Sequence, residues 1–273
     1  GVTDALLESA GATVERVRCE RDPSFGGTPP EPSEEYLSPL REAVAAGADL
    51  GVANDGDADR IVVVTDRGVL NANLFFATLY DYLLESDAGP AIRTVSTTFL
   101  IDRIAEAHGE AVHETPVGFK WVAAAMAEHD ALVGGEESGG FSVRGHVREK
   151  DGVLMALFAA AMDAGESIDG RVDRLLETHG EIHQDRVSVD CPDAEKDRVV
   201  TSIGDALPDA VAGVAVEAVN DADGYKILLA DGSWLLVRPS GTEPKLRIYA
   251  EAEREDRVAE LLVAGREIVE PLV

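Results

Sequence analysis

Apolar positions between residues 70 and 180 alternate between short continuous runs and stretches with a helical repeat. The runs predict strands at Ile92 to Val95, Ala111 to His113 and Ala131 to Val133, and the repeats predict helices at Leu74 to Leu84, Phe99 to Ala107 and Phe119 to Glu128. Strand and helix in turn at this spacing imply a parallel sheet with helices on its faces. Its strand ends carry Ser96-Thr97-Thr98, Thr115 to Lys120 and Gly134 to Gly140, at the edge where ligands bind such sheets. Asp151 is placed to cap the apolar helix that follows.

The flanks read differently. An amphipathic helix spans Asp4 to Ala10, a strand is expected at Thr13 to Arg18, and the passage from Pro23 to Pro32 must be a loop. Glu34 to Ala46 reads as a helix despite Pro39, and the apolar runs Ala48 to Ala53 and Ile61 to Val64 read as buried strands. Beyond Glu181, strands are expected at Arg186 to Val189, Val214 to Val219, Tyr225 to Leu229 and Ser233 to Val237, with helices at Glu195 to Ala206 and Asp256 to Ile268. Asp231-Gly232 is a hairpin signal. The predicted organisation is two α/β domains with parallel or mixed sheets, residues 1–69 and 70–180, then an α+β domain, residues 181–273.

Between two of the expected strands lies Asn54-Asp55-Gly56-Asp57-Ala58-Asp59-Arg60. Three carboxylates so close repel unless a cation sits among them, and Gly56 is free to take the backbone angles that turn them inward. Oxygen ligands with no His or Cys nearby favour Mg2+ or Ca2+ over Zn2+. A solvated acidic turn is the plainer reading. An EF-hand loop fits the alternation of Asp55, Asp57 and Asp59, but Arg60 stands where its sharp turn needs Gly and the flanks read as strands.

Charge narrows the partners. The chain has 24 Lys and Arg against 52 Asp and Glu, a formal net charge of -28, and only five of its cations are lysines. An acid excess spread over the whole chain argues against nucleic acid or an anionic membrane as partner. It suits a halophile's surface, whose self-repulsion abundant salt screens. No signal peptide is visible and the longest apolar run, Val153 to Met162, is too short to span a bilayer. A cytoplasmic location is therefore expected.

Asp55-Gly-Asp-Ala-Asp-Arg60 after a strand resembles the metal loop of the α-D-phosphohexomutases, the phosphoglucomutase and phosphomannomutase superfamily. The resemblance implies that Asp55, Asp57 and Asp59 hold Mg2+ beside a phosphorylated serine, with Arg60 supporting the same phosphate. Gly135 to Gly140 offers Glu136, Glu137 and Ser138 at a strand end. Alone it reads as a glycine-rich turn, but it is similar to the family's sugar-recognition loop, in which Glu136 and Ser138 would grip sugar hydroxyls. Many bacterial members carry His at the position of Gly140, so that contribution is absent here or supplied differently.

Gly118 to Trp121 and Arg148 to Gly152 resemble segments of the phosphoglucomutase branch. Lys120 and Lys150 within them read either as proton-transferring or phosphate-facing amines or as surface cations among carboxylates. Arg238, Ser240, Gly241 and Thr242 join two apolar strands and supply a guanidinium, two hydroxyls and turn N–H groups, which together suit a phosphate. They are also similar to the phosphate loop of the family's fourth domain. The resemblance thus implies the second to fourth domains of a Mg2+-dependent mutase. Such an enzyme interconverts glucose or mannose 1- and 6-phosphates through a bisphosphate, and the phosphoserine is expected on an N-terminal domain outside this chain. On that reading the chain alone is inactive, and the alternative is a non-catalytic fragment that binds Mg2+ and a phosphosugar.

Overall fold

Helix α1 (Val2–Ser9) begins the chain as its amphipathic pattern predicts, with Leu7 buried and α6 (Gly152–Gly165) packed against it. The computed structural model describes residues 1–273. They form two compact units, one of residues 1–114 and 118–179 and the other of residues 115–117 and 180–273.

In the first unit, α2 (Ser38–Ala45) leads into β1 (Gly51–Asn54), β2 (Ile61–Thr65) and β3 (Gly68–Val69), an antiparallel sheet in the order β1-β2-β3. The register pairs Asn54 with Ile61, so the Asp-rich segment is the connection of a hairpin. The alternating region follows as α3 (Ala72–Leu84), β4 (Ala91–Thr94), α4 (Leu100–His108), β5 (Val112–Thr115), α5 (Phe119–His129) and β6 (Val133–Gly135). One strand that the pattern does not predict, β7 (Phe141–Val143), turns back on β6. The sheet order is β5-β4-β6-β7, with β4 and β6 parallel and β7 antiparallel to β6. Asp151 caps α6 by accepting from Leu154 N at 2.9 Å, as expected, and α7 (Ile168–His179) follows. Phe141 is fully buried, its ring centroid 5.4 Å from that of Phe75 and 5.3 Å from that of Phe76. This packing anchors one end of the loop between β6 and β7.

Two expectations fail. Residues 13–18 are irregular, not a strand. Arg16 binds Asp4 at 2.6 Å and Glu8 at 2.9 Å, and Arg18 adopts a left-handed φ of 54° that an extended strand excludes. The helix expected over residues 34–46 is broken into a short 3-10 turn, Glu34–Tyr36, and α2. Pro39 lies in the first turn of α2, where its missing N–H costs nothing.

The second unit holds β8 (His183–Asp190), α8 (Lys196–Ala206), β9 (Ala210–Val211), β10 (Val214–Asn220), β11 (Tyr225–Leu229), β12 (Trp234–Pro239), β13 (Lys245–Ala252) and α9 (Glu255–Val269). The strands form an antiparallel sheet in the order β8-β13-β12-β11-β10-β9. Ile227, Leu235, Val237, Leu246 and Ile248 from its strands pack with Val199 and Ile203 of α8 and Val258 and Leu261 of α9. Gly265 lets α9 approach closely: a β-carbon there would lie 2.6 Å from Ile248. No helix in the chain is long and apolar enough to cross a membrane.

Candidate functional site

The Asp-rich hairpin loop is closed by its own side chains. Asn54 Nδ2 donates to the Arg60 carbonyl at 2.9 Å, and Thr3 Oγ1 holds the Asn54 amide oxygen at 2.9 Å. Asp55 is buried, its Oδ1 accepting from Arg60 N at 3.1 Å and its Oδ2 from Arg60 Nε at 2.6 Å. Glu31, from the Pro-rich loop, binds Arg60 Nη1 at 2.9 Å. The structure brings the predicted Asp55, Asp57 and Asp59 together, one oxygen of each lying within 4.8 Å of the others. Asp59 Oδ1 is buried with no hydrogen-bond partner, Arg60 Nε lying 3.5 Å away. A buried carboxylate oxygen left without a hydrogen bond, on a loop that gathers two more carboxylates, is a fit for a hard cation.

Gly56 serves another purpose than the expected one. It is not among the left-handed residues of this loop; Ala58 is, at a φ of 58°. What Gly56 permits is contact, because a β-carbon there would lie 2.9 Å from Pro30 and 3.4 Å from the Phe25 ring.

The Glu136 loop is sewn to the Asp-rich loop through backbone. Ile61 N donates to Gly139 O at 3.0 Å, Arg60 forms an antiparallel bridge with Gly140, and Gly152 N donates to Ala58 O at 3.0 Å. Gly139 is required twice over: its φ is 92°, and a β-carbon would lie 2.7 Å from the Ile61 carbonyl oxygen. Two loops that the sequence assigns to separate domains thus share one hydrogen-bonded framework.

Glu136 is buried and its Oε1 accepts from Gly118 N at 2.9 Å. Burial pushes its carboxyl above the ordinary glutamate range, the Gly118 N–H and the charge of Lys150 work against this, and the charges of Glu137 and Asp59 add to it. Folding therefore favours the protonated form. That stability is complete below the unfolded pKa of about 4.3 and is lost as pH rises through the folded value. Glu136→Gln, whose amide oxygen still accepts from Gly118, should raise the melting temperature at pH 7 by on the order of 2 °C and leave it unchanged near pH 4. A lower melting temperature at pH 7 would contradict this account.

Ser138 is exposed beside Glu136. Glu137 was not predicted to have a role, yet its Oε2 accepts from Ser96 Oγ at 2.7 Å and from Thr94 Oγ1 at 3.4 Å, tying the loop to the end of β4. Its neighbours Glu136 and Ser138 carry the signal legible in the sequence. Lys120 is exposed, with Nζ 4.9 Å from the Trp121 ring centroid, while Lys150 Nζ contacts Asp59 Oδ2. The two lysines so similar in sequence setting therefore meet different partners, a ring and a carboxylate.

In the second unit, Arg238 lies one residue before the end of β12, nearly buried, its Nε donating to Asp223 at 3.0 Å. Gly224 backs it, since a β-carbon there would lie 2.2 Å from Val237 O. Asp223 and Gly224 escaped the sequence reading; the only hint was a polar turn between strands. Ser240 is buried, its Oγ accepting from Thr242 N at 3.4 Å and Glu243 N at 3.3 Å, so its hydroxyl first of all shapes the turn. Lys196 Nζ donates to the carbonyls of Ser240 and Glu243, both at 2.6 Å. Gly241 and Thr242 are exposed at the tip.

Three family models match in sequence. Residues 1–68 match Phosphoglucomutase/phosphomannomutase, alpha/beta/alpha domain II, residues 71–179 match alpha/beta/alpha domain III, and residues 187–268 match the C-terminal domain. A "Probable phosphoglucosamine mutase" of Methanothermobacter thermautotrophicus is 37% identical over 92% of this chain and 54% of its own length. A phosphoglucomutase/phosphomannomutase of Thermococcus kodakarensis is 34% identical over 97% of this chain and 57% of its own, and a phosphopentomutase of the same organism is 31% identical over 100% and 60%. The chain spans little more than half the length of these relatives. A crystal structure of a Burkholderia thailandensis phosphoglucomutase/phosphomannomutase family protein shares the fold, with a TM-score of 0.82 at 20% identity over 99% of this chain and 57% of that one. So does Aspergillus fumigatus N-acetylphosphoglucosamine mutase in complex with GlcNAc-6P and magnesium, with a TM-score of 0.62 at 16% identity over 91% and 58%. With its three matched segments in order along nearly the whole sequence, the chain belongs to the phosphoglucomutase/phosphomannomutase family, the α-D-phosphohexomutase superfamily.

Proposed function

We propose that this chain carries the metal, sugar and phosphate loops of a Mg2+-dependent phosphohexomutase that interconverts a hexose 1-phosphate and its 6-phosphate, with glucose or mannose as the sugar. The observation that supports it most is the backbone union of the Asp55–Arg60 loop with the Glu136–Gly140 loop, which fixes a cluster of carboxylates beside a hydroxyl-binding turn. Asp55, Asp57 and Asp59 would hold the ion, which supplies positive charge to a transferring phosphoryl group. Arg60, already oriented by Asp55 and Glu31, adds a second positive group at the same loop. Glu136 and Ser138 orient sugar hydroxyls, the buried carboxylate being held by Gly118 so that little order is lost when a ligand arrives. Arg238, Ser240, Gly241 and Thr242 take a phosphate. The chemistry assigned to these loops is binding, orientation and charge neutralisation.

The names of the relatives widen the choice of sugar to glucosamine and pentose phosphates. Substrate class is therefore best tested at the phosphate, the group common to all. Arg238→Ala is expected to weaken glucose 6-phosphate binding by about 10- to 150-fold, the loss of one charge-assisted donor of about 1.5–3 kcal/mol, and to leave glucose binding unchanged. Calorimetry with both sugars on the folded variant reads this directly. Equal losses for the two would mean that Arg238 serves only to brace the β12 end against Asp223.

A further inference from the structure

The two oxygens of Asp59 have opposite surroundings. Oδ1 is buried without a hydrogen bond, whereas Oδ2 receives the ammonium of Lys150, 91 residues later in the chain. That reach depends on a bare backbone. The Lys150 stem lies directly over Gly140, where a β-carbon would be 2.4 Å from its Cδ and 2.9 Å from its Cγ. Any side chain at position 140 would therefore have to displace the lysine. The other end is fixed as well, because Asp151 caps α6 and Gly152 N is bonded to Ala58 O inside the Asp-rich loop. Both partners are only partly exposed, Lys150 at 21% and Asp59 at 24%, so the pair is not a fully solvated surface contact.

An ammonium on one member of a cluster of three carboxylates does part of the work of a metal ion, relieving repulsion that the fold has built in. We propose that Lys150 is the resident counter-ion of this cluster, and that a divalent ion entering beside Asp59 Oδ1 repels its ammonium from Oδ2 of the same carboxylate, so that metal loading and the Lys150–Asp59 pair oppose one another. This rests on the metal reading given above. Loading then frees an ammonium next to the sugar loop, where the charge of Lys150 already acts on Glu136. The ion pair thus couples the state of the metal loop to the charge felt by the sugar loop, through one side chain lying across Gly140.

Calorimetric titration with Mg2+ alone, no sugar present, tests the inference. Lys150→Met keeps an unbranched apolar stem and removes the charge, and it should bind Mg2+ roughly three- to tenfold more tightly than the wild type. Its metal-free form should melt at a lower temperature than metal-free wild type, and the gap should close at saturating Mg2+. Lys150→Arg should stay within about twofold of the wild-type affinity, and Lys150→Gln, a second neutral variant, should behave like Lys150→Met. If the wild type binds Mg2+ and neither neutral variant binds it more tightly, the competition is refuted while the metal reading stands. If the wild type takes up no Mg2+, both are refuted together.

Discussion

Gly152→Ala is expected to lower the melting temperature by roughly 5–10 °C and to weaken Mg2+ binding in the same variant. A β-carbon at residue 152 would lie 2.2 Å from the Arg60 carbonyl oxygen and 2.7 Å from both the Arg60 carbonyl carbon and Asn54 Nδ2. Two of these atoms are backbone, so no rotamer change relieves the overlap. Either α6 must draw back from the Asp-rich hairpin or the hairpin must open. Both movements strain the bond from Gly152 N to Ala58 O and the one from Asn54 Nδ2 to Arg60 O. Overpacking against backbone, with hydrogen bonds lost, costs about 2–4 kcal/mol, and about 2–4 °C per kcal/mol is usual for domains of this size. Gly165→Ala at the other end of the same helix is the control. No atom lies within 4 Å of a β-carbon there, and alanine is the better helix former, so its melting temperature should hold or rise slightly. Equal stability of Gly152→Ala and wild type would show that the helix and the loop are not in the contact described.

Gly152 also shows where sequence reading stops. As the residue after a capping aspartate it looks like an ordinary helix start, and nothing local reveals the carbonyl pressed against it from a residue 92 positions earlier. Local chemistry was legible: Asp55, Asp57 and Asp59 lie in one loop, Asp151 caps α6, and the strand–helix alternation from α3 to β6 stands, because each follows from neighbours in the chain. The antiparallel return of β7 was not, since a three-residue strand directly after a glycine pair gives no period to read. Thr13 to Arg18 misleads for the converse reason: its residues suit a strand, but Arg16 binds Asp4 and Glu8, while Arg18 takes a left-handed φ and donates to the Phe25 carbonyl. The Lys150–Asp59 pair and the brace of Arg238 by Asp223 are also invisible locally, for each joins side chains that only the packed sheets bring together. Even at Gly56 the need for glycine comes from Pro30 and Phe25, packed against it from another loop, and not from its own backbone angles.

Asp57→Ala should lower Mg2+ affinity by more than about 100-fold and leave the melting temperature of the metal-free protein nearly unchanged. The three aspartates divide their duties unequally. Asp55 spends both oxygens on Arg60, and Asp59 holds Lys150 through one of its own, so replacing either disturbs the loop and the metal together. Asp57 is exposed and has no hydrogen bond or ion pair with the rest of the chain. Its removal takes away one unit of the repulsion among the three, which for an exposed surface change amounts to no more than about 0.5 kcal/mol in either direction. For a cation the balance is reversed. Hard ions of this kind rely on charged oxygens, and if losing a supporting group behind a ligand costs 10–100-fold in affinity, losing a ligand itself should cost at least the upper figure. The measurement is a pair of Mg2+ titrations, wild type and Asp57→Ala, alongside thermal melts of each without metal. Undiminished Mg2+ binding by a folded Asp57→Ala would mean that the ion sits elsewhere and that the convergence of the three carboxylates is held by Arg60 and Lys150 alone.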